Sequence, residues 1–235
     1  MKRLALLLLC ALPTWAAGAY VASYSGMQYG GSGTSLTVSA GTRTAGETVA
    51  VLVTWLDITT TITSITVCGQ TATLRHGNSR NADTSATAGY LLSTPSGACN
   101  VVATLSADTA IAMTVWVASG ITAFDTSTIN VSQHNLATGT ENVTSGAITT
   151  NYNSELVVGM SINFGGTAPG VGSGWTSRLM STFYGIEDKA QTSAGSITAT
   201  LSNNAAFSDP NTVIMGFRTD VVAGTSYRQR RVITQ

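Results

Sequence analysis

The stretch Val49-Ala50-Val51-Leu52-Val53-Thr54-Trp55 decides the fold of this chain. Successive side chains of a β-strand point to opposite faces, so residues 49, 51, 53 and 55 share one face and residues 50, 52 and 54 share the other. Both faces are largely apolar, which is typical of a strand covered on each side. The stretch therefore predicts a strand near the middle of a β-sandwich.

Similar runs rich in Val, Ile, Thr and aromatic residues lie on both sides of this stretch, bounded by Gly, Ser, Asn or Asp. They predict further strands at Ser64–Cys68, Thr71–Leu74, Ala88–Leu92, Asn100–Leu105, Ile111–Val117, Glu155–Phe164, Ser196–Leu201 and Thr212–Phe217. No window combines apolar residues at helical spacing with caps at both ends. About ten short strands predict an all-β fold, a single β-sandwich of jelly-roll or immunoglobulin-like type. No repeat at a fixed period is visible in the sequence.

The N-terminal residues have the pattern of a cleavable secretory signal. Met1-Lys2-Arg3 is charged, Leu4–Leu12 is apolar, and Ala17-Gly18-Ala19 places small residues where cleavage occurs. The apolar run is much shorter than the ~20 residues that span a bilayer. We therefore expect cleavage after Ala19, no membrane span, and a secreted protein that is extracellular or periplasmic.

The rest of the chain is expected to form one domain. Residues 20–46 are predicted as a flexible lead-in with a first strand, 47–220 as the β-sandwich and 221–235 as a C-terminal tail. Gly26–Gly33 and Gly165–Gly174 are predicted loops, and Gly69-Gln70 is a predicted two-residue hairpin turn.

Charge is scarce in this sequence. Only 9% of the residues are charged, against about 25% in ordinary soluble domains. Eleven basic residues balance eleven acidic ones, and removal of Lys2 and Arg3 with the signal leaves a net charge of about −2. No basic stripe is present, so nucleic-acid binding is not expected. Arg228, Arg230 and Arg231 form one local cluster, either a solvated tail or a docking strip for an acidic partner.

Two cysteines remain outside the signal, since Cys10 lies within it. In an oxidising compartment Cys68 and Cys99 most simply form one disulfide. The alternative, a pair of metal-binding thiols, lacks histidines at suitable spacing, because His76 and His134 are the only histidines.

Arg178, Glu187 and Asp188 form the tightest cluster of opposite charges. If Trp175–Ser181 and Phe183–Ala190 are neighbouring antiparallel strands, Arg178 faces Glu187 or Asp188 across the pair. The two adjacent carboxylates point to opposite faces and so do not form a catalytic pair on one surface. We expect one of them to point inward and to be neutralised by Arg178 or Lys189; calcium ligation by the outward one is the alternative.

The remaining acidic residues give no specific pattern. Four loop carboxylates next to Thr, Ser or Pro are predicted to bond their own turn, with calcium ligation as the alternative: Asp57, Asp108, Asp125 and Asp209. Neither His76 nor His134 belongs to a recognisable nucleophile–base arrangement, and no nucleophile elbow is present. No catalytic residue is therefore predicted.

Aromatic residues are the candidates for ligand contact. Trp55, Trp116 and Trp175 lie in predicted strands, where core packing is expected. Tyr20, Tyr24 and Tyr29 lie in a Gly/Ser-rich stretch and are expected to be more exposed. We select Tyr24, Tyr29 and Trp175 as possible ligand contacts.

The segment Gly172-Ser173-Gly174-Trp175-Thr176-Ser177-Arg178, followed by Tyr184-Gly185-Ile186-Glu187-Asp188-Lys189, resembles a largely uncharacterised β-sandwich domain of exported bacterial and phage virion proteins. The similarity extends to Val49–Trp55, to 154–159 and to 215–218, which covers most of the mature chain. Members often have an Asp-containing turn where this chain has Val67-Cys68-Gly69-Gln70. The resemblance implies the fold and supplies no catalytic set.

Two functions follow as expectations. The first is a secreted, non-enzymatic surface, structural or adhesion module whose partners are other surface or virion proteins. The second is a carbohydrate-binding module, with a glycan-active enzyme as the weaker form of that alternative. No cofactor is expected apart from the calcium considered above.

Overall fold

The computed structural model of the chain describes residues 18–30, 33–80, 84–131, 142–164, 169–202 and 210–219, which contain sixteen β-strands and no helix. Nine strands in chain order are β1 (Ala19–Gln28), β2 (Ser35–Arg43), β3 (Thr48–Trp55), β4 (Ile62–Val67), β5 (Gln70–Thr71), β6 (Thr73–Arg80), β7 (Ser85–Leu91), β8 (Gly97–Leu105) and β9 (Ile111–Ser119). Seven follow: β10 (Ala123–Val131), β11 (Asn142–Thr150), β12 (Glu155–Ile162), β13 (Thr176–Met180), β14 (Tyr184–Gln191), β15 (Gly195–Ser202) and β16 (Asn211–Arg218). The predicted all-β fold is confirmed, and no helix of the described residues is suited to crossing a membrane.

The strands form four antiparallel sheets stacked as four layers. Inner sheet 1 has the strand order β1-β9-β3-β7-β6, and outer sheet 1 has the order β2-β8-β4-β5. Inner sheet 2 has the order β10-β16-β12-β14-β13, and outer sheet 2 consists of β11 and β15. An apolar core separates each layer from the next. The molecule is therefore two β-sandwiches joined through their inner sheets, where the sequence predicted a single one.

The central strand predicted at Val49–Trp55 is confirmed. All eight residues of β3 are buried. Val49, Val51 and Val53 face the core under outer sheet 1, which we call the first core, and Ala50 and Leu52 face the middle core between the inner sheets. Strand β12 has the same position in inner sheet 2, and all of its residues are buried as well.

The two sandwiches share one topology. Strands β1–β9 form half 1 and β10–β16 form half 2. In each half the first strand pairs with the last and the second with the second-last, which in half 1 gives the strand order of a jelly roll. Strands β10 to β16 correspond in order to β1, β2, β3, β6, β7, β8 and β9. Among its described residues, half 2 has no counterpart of β4 and β5, and its outer sheet there consists of two strands.

Irregularities of the backbone repeat at corresponding positions. The second strand of each half carries a bulge with a left-handed glycine, Gly41 (φ 71°) in β2 and Gly146 (φ 76°) in β11. The edge strands β6 and β13 each shift register at one arginine, Arg75 and Arg178. Such bulges re-aim side chains, and they place these two arginines in equivalent positions.

The halves pack as a pseudo-two-fold pair. Edge strand β1 lies against β13, and its counterpart β10 lies against β6, the counterpart of β13. This reciprocity is the signature of an isologous interface. The duplication is invisible as a sequence period, because the halves differ in loop length and in the two missing strands.

The loops fall at two opposite ends. Residues 29–30, 33–34, 56–61, 106–110 and 181–183 lie at the end we call the loop end, where Asn211 of half 2 bonds Thr84 of half 1. Turns 44–47, 92–96, 151–154 and 192–194 lie at the other end. Residues 18 and 219 are also there, in contact with each other, so we call it the chain end.

Residues 20–46, predicted as a flexible lead-in with a first strand, contain two paired strands. Strand β1 pairs with β9 and β2 pairs with β8, and Gly26 of the predicted Gly26–Gly33 loop lies inside β1. The predicted signal up to residue 17, the tail 221–235 with its three arginines, His134, Asp209 and residues 165–168 of the predicted loop lie outside the described residues.

The predicted disulfide is present and joins β8 to the turn after β4. Cys68 and Cys99 have Cα atoms 4.3 Å apart. Val67 pairs with Gln70, so the hairpin turn is Cys68-Gly69, one residue earlier than predicted. Both turn residues have positive φ (50° and 78°), as a type I′ hairpin requires.

Removal of the disulfide should destabilise half 1 without changing the fold. For the separation of 31 residues, the chain-entropy model gives a loss of about 3–4 kcal/mol in the free energy of unfolding. Urea unfolding of the wild type and of the Cys68→Ser/Cys99→Ala variant measures the difference. Wild-type protein unfolded in reductant is the control, and its unfolding midpoint should match that of the variant. Identical midpoints for the oxidised wild type and the variant would refute the stabilising role of the disulfide.

Candidate functional site

Asp188 is the centre of a buried polar contact between the halves. It projects from β14 into the middle core and is 1% exposed. Arg178 binds it with two nitrogens, Nη2 at 2.8 Å from Oδ1 and Nε at 2.9 Å from Oδ2. Trp116 of inner sheet 1 donates its indole N–H to Oδ2 at 3.1 Å. Of the two predicted partners of Arg178, the structure selects Asp188.

Arg178 also contacts half 1 directly. Its guanidinium lies 4.2 Å from the ring centre of Tyr20 on β1, a cation–π geometry. Its backbone carbonyl accepts a hydrogen bond from Ser23 Oγ at 3.1 Å. One edge of the middle core is therefore closed by an arginine that contacts both halves.

The pseudo-two-fold partner of this contact closes the opposite edge. Arg75 of β6 lies 4.1 Å from the ring centre of Phe124 on β10 and donates to the Tyr90 hydroxyl at 2.6 Å. Phe124 corresponds to Tyr20, and Tyr90 corresponds to Asp188. We call these two contacts the arginine clamps. The second clamp has a neutral phenol in place of the carboxylate, and its arginine is exposed.

Glu187 lies on the other face of β14, against outer sheet 2. The sequence predicted one inward carboxylate in the cluster, but both Glu187 and Asp188 are buried, because inner sheet 2 is covered on each face. Glu187 bonds Gly172 rather than Arg178: the Gly172 N–H donates to Oε2 at 2.6 Å. Burial raises the pKa of this carboxyl to about 7, and the N–H groups of Gly172 and Thr200 oppose the rise.

Glu187 binds the segment 169–175, which runs beside β15. The backbone of Gly172 runs so close to β15 that a Cβ there would lie 2.4 Å from the Thr200 carbonyl oxygen. Glu187 thus links β14, β15 and the segment 169–175. Gly159, directly across from Glu187 on β12, leaves room for the side chain, since a Cβ there would lie 3.3 Å from Glu187 Cγ.

Asp57 bonds its own turn, as predicted, whereas Asp108 and Asp125 accept backbone N–H groups from segments far away in the sequence. Asp57 accepts the Thr59 N–H at 2.7 Å and the Thr60 hydroxyl at 2.5 Å, and these bonds lower its pKa to about 2. Asp108 accepts the Gly33 N–H, and Asp125 accepts the Asn151 N–H. The described residues contain no cluster of three or more His, Cys, Asp or Glu side chains suited to a metal ion.

His76 is half-buried on β6, with Nε2 3.1 Å from Ser127 Oγ. Burial and, to a lesser degree, Arg75 lower its pKa. The residue joins β6 of half 1 to β10 of half 2, a structural contact between the halves.

The selected aromatic residues have three different environments. Tyr24 packs on the first core and accepts a hydrogen bond from Arg43 at 3.1 Å. Trp175 is half-buried on the core under outer sheet 2, whereas Trp55 and Trp116 are fully buried. Tyr29 is 68% exposed at the loop end. The structure does not bring Tyr24, Tyr29 and Trp175 together into one site.

Tyr29 is one of three apolar side chains that are exposed at the loop end. Leu56 and Ile58 are also exposed there, at 40% and 42%. Tyr29 follows the Gln28–Ile111 pair and Leu56 bonds Ala110, so both flank the start of β9. Tyr184 of half 2 lies nearby, and burial and then Tyr29 raise its pKa to about 12. We call Tyr29, Leu56 and Ile58 the loop-end patch; sequence reasoning identified only its tyrosine.

A small pocket of about 180 Å³ lies at the chain end. It is lined by Gly18, Ser154, Glu155, Leu156, Gln191 and Thr219 among others. Glu155, at its base, is 1% exposed, and no motif in the sequence singled it out.

Comparison with known proteins found no matching protein family, no similar curated protein and no similar solved structure. The resemblance to exported bacterial and phage virion domains therefore remains a prediction.

The two arginine clamps should differ in strength. Asp188→Ala leaves Arg178 and the Trp116 indole without their buried partner, and loss of one member of a buried pair typically costs about 3–5 kcal/mol. Tyr90→Phe removes the corresponding group of the other clamp and should cost about 1 kcal/mol, because the exposed Arg75 regains water. Urea unfolding of both variants checks this, and equal losses would refute the assignment.

Glu187 should make the protein more stable in mild acid. Its pKa rises from 4.5 when unfolded to about 7 when folded, so its contribution is full below pH 4.5 and is lost as the pH rises through 7. The wild-type melting temperature should therefore fall between pH 5 and pH 8, and Glu187→Gln should reduce this fall. A variant with the full wild-type pH dependence would contradict the assignment.

Proposed function

We propose that this protein is an exported, non-enzymatic surface or structural module that recognises its partner through the loop end. The observation that supports the proposal is that the chain end and the loop end lie at opposite ends of the molecule. Strand β1 begins and strand β16 ends at one end, and the loop-end patch is exposed at the other. A module attached at its chain end would present Tyr29, Leu56 and Ile58 outward.

The contacts of the buried charged side chains support a structural role. Arg178, Asp188 and Glu187 are committed to contacts within and between the halves. These contacts, with three apolar cores, make the four layers a rigid support. Recognition by loops on a rigid scaffold is a common arrangement in β-sandwich proteins.

The disulfide supports export. Disulfides persist in oxidising compartments and are rare in the cytosol. The Cys68–Cys99 bond is therefore what an extracellular or periplasmic protein would contain.

The chemistry of the loop-end patch favours a protein partner, such as another surface or virion protein. Exposed aromatic and aliphatic side chains that lie together are typical of protein interfaces. Carbohydrate binding is the second candidate, because the Tyr29 ring is exposed enough to stack on a sugar.

Binding assays with matched variants test the proposal. The protein, immobilised through its chain end, is probed with a glycan array and with fractionated surface or virion proteins of the source. Tyr29→Ala/Ile58→Ser should weaken binding at least tenfold, whereas Tyr152→Ala, at an exposed tyrosine of the chain end, should not. Equal effects of the two variants would refute recognition through the loop end, and saturable sugar binding that depends on Tyr29 would select the carbohydrate function.

A further inference from the structure

Two carboxyl groups meet in the turn between β11 and β12 at the chain end. The N–H of Asn151 donates to Asp125 Oδ2 at 2.9 Å, and the next N–H, that of Tyr152, donates to Glu155 Oε1 at 3.0 Å. Consecutive amides of one turn thus hold the two carboxyl side chains next to each other.

The second oxygen of Glu155 is buried without a donor from the described residues. Glu155 is 1% exposed, and its Oε2 has no hydrogen-bond partner there. Gly216 lies so close across from it that a Cβ would come within 2.9 Å of Oε2. Asp125 already accepts the N–H and the side-chain amide of Asn151. A carboxylate in this position needs a proton or a cation to offset the loss of water.

Two charged side chains of the described part of the chain face Glu155. Asp125 faces it from β10, and Arg218 faces it from β16, with its guanidinium 3.8 Å from the centre of the Tyr152 ring. On β14 its register partner is the uncharged Gln191, and the turn contributes Asn151 and Tyr152. The pocket beside it is lined by Gly18, Ser154 and Thr219, also uncharged.

The corresponding glutamate of half 1 has a different charged neighbour. Glu47, in the position of Glu155, accepts the Thr44 N–H and lies 3.4 Å from Arg43. The equivalent turn of half 1 is therefore held by opposite charges, whereas in half 2 Glu155 faces both a second acid, Asp125, and Arg218.

We propose that Asp125 and Glu155 share one proton and form an acid-stabilised latch that holds turn 151–154 closed. The protonated Glu155 donates its O–H to the Asp125 carboxylate. When this proton passes to water, two carboxylates face each other in a buried site, and their repulsion opens the turn locally.

The latch operates near neutral pH. Burial, followed by Asp125, raises the Glu155 pKa to about 7, while the Tyr152 N–H and Arg218 oppose the rise. The stabilisation is therefore full below the unfolded pKa of 4.5 and is lost as the pH rises through about 7.

Carbon NMR of the glutamate carboxyl groups, with amide exchange, tests the latch in the full chain. Glu155 should titrate with a midpoint near pH 7 in the wild type and at least one pH unit lower in Asp125→Asn. Amide protection factors of Asn151 and Tyr152 should fall at least tenfold between pH 5.5 and pH 8. In Glu155→Gln, whose side-chain amide still donates to Asp125, these protection factors should be the same at pH 5.5 and pH 8.

Two controls separate the latch from general effects of pH. Protection of the Thr44 amide in the equivalent turn of half 1 should not change, and Glu187→Gln should leave the Glu155 titration as it is. A wild-type Glu155 midpoint near pH 4.5, or a midpoint unaffected by Asp125→Asn, would overturn the proposal. A midpoint displaced by added calcium would also overturn it, because a cation would then occupy the site.

Discussion

The middle core between the two inner sheets is the constraint on which the rest of the structure depends. Each inner sheet buries one face there. Its other face is also apolar and is covered by an outer sheet, so four layers result. The arginine clamps at Arg75 and Arg178 close the two edges of this core. Both arginines lie at register shifts of edge strands. The irregularity of the backbone at each shift therefore accompanies the contact that its arginine makes with the other half.

Strands with bulky apolar residues were predictable from the sequence, and strands with small ones were not. Strand β3 and strands β7, β8, β9, β12 and β16 carry Val, Ile, Leu or aromatic residues on at least one face. Strand β2 buries only Leu36, Val38 and Ala40, between serines and threonines, so its alternation is weak. Strands β10 and β11 are similar, and a bulge in each breaks the two-residue period. The number of sheets depends on which faces meet, and a strand pattern does not contain that information.

The site was predictable only in part for the same reason. Arg178 and Asp188 were recognisable as a charge cluster, but the choice of Asp188 over Glu187 depends on the register shift at Arg178. Asp125 and Glu155 are 30 residues apart in the sequence and belong to no motif. Their meeting requires the pairing of β10 with β16 and of β16 with β12, which is long-range information.

The placement of the chain end opposite the loop end has a mechanical consequence. Hydrogen bonds between antiparallel strands run perpendicular to the strands. A load between a partner at the loop end and an attachment at the chain end would pull along the strands and strain many of these bonds at once, as in shear. A load between the start of β1 and the end of β16 would instead peel β1 from β9 and β16 from its neighbours one bond at a time. The same fold thus resists a load along its strands and yields to a load that pulls the start of β1 away from the end of β16.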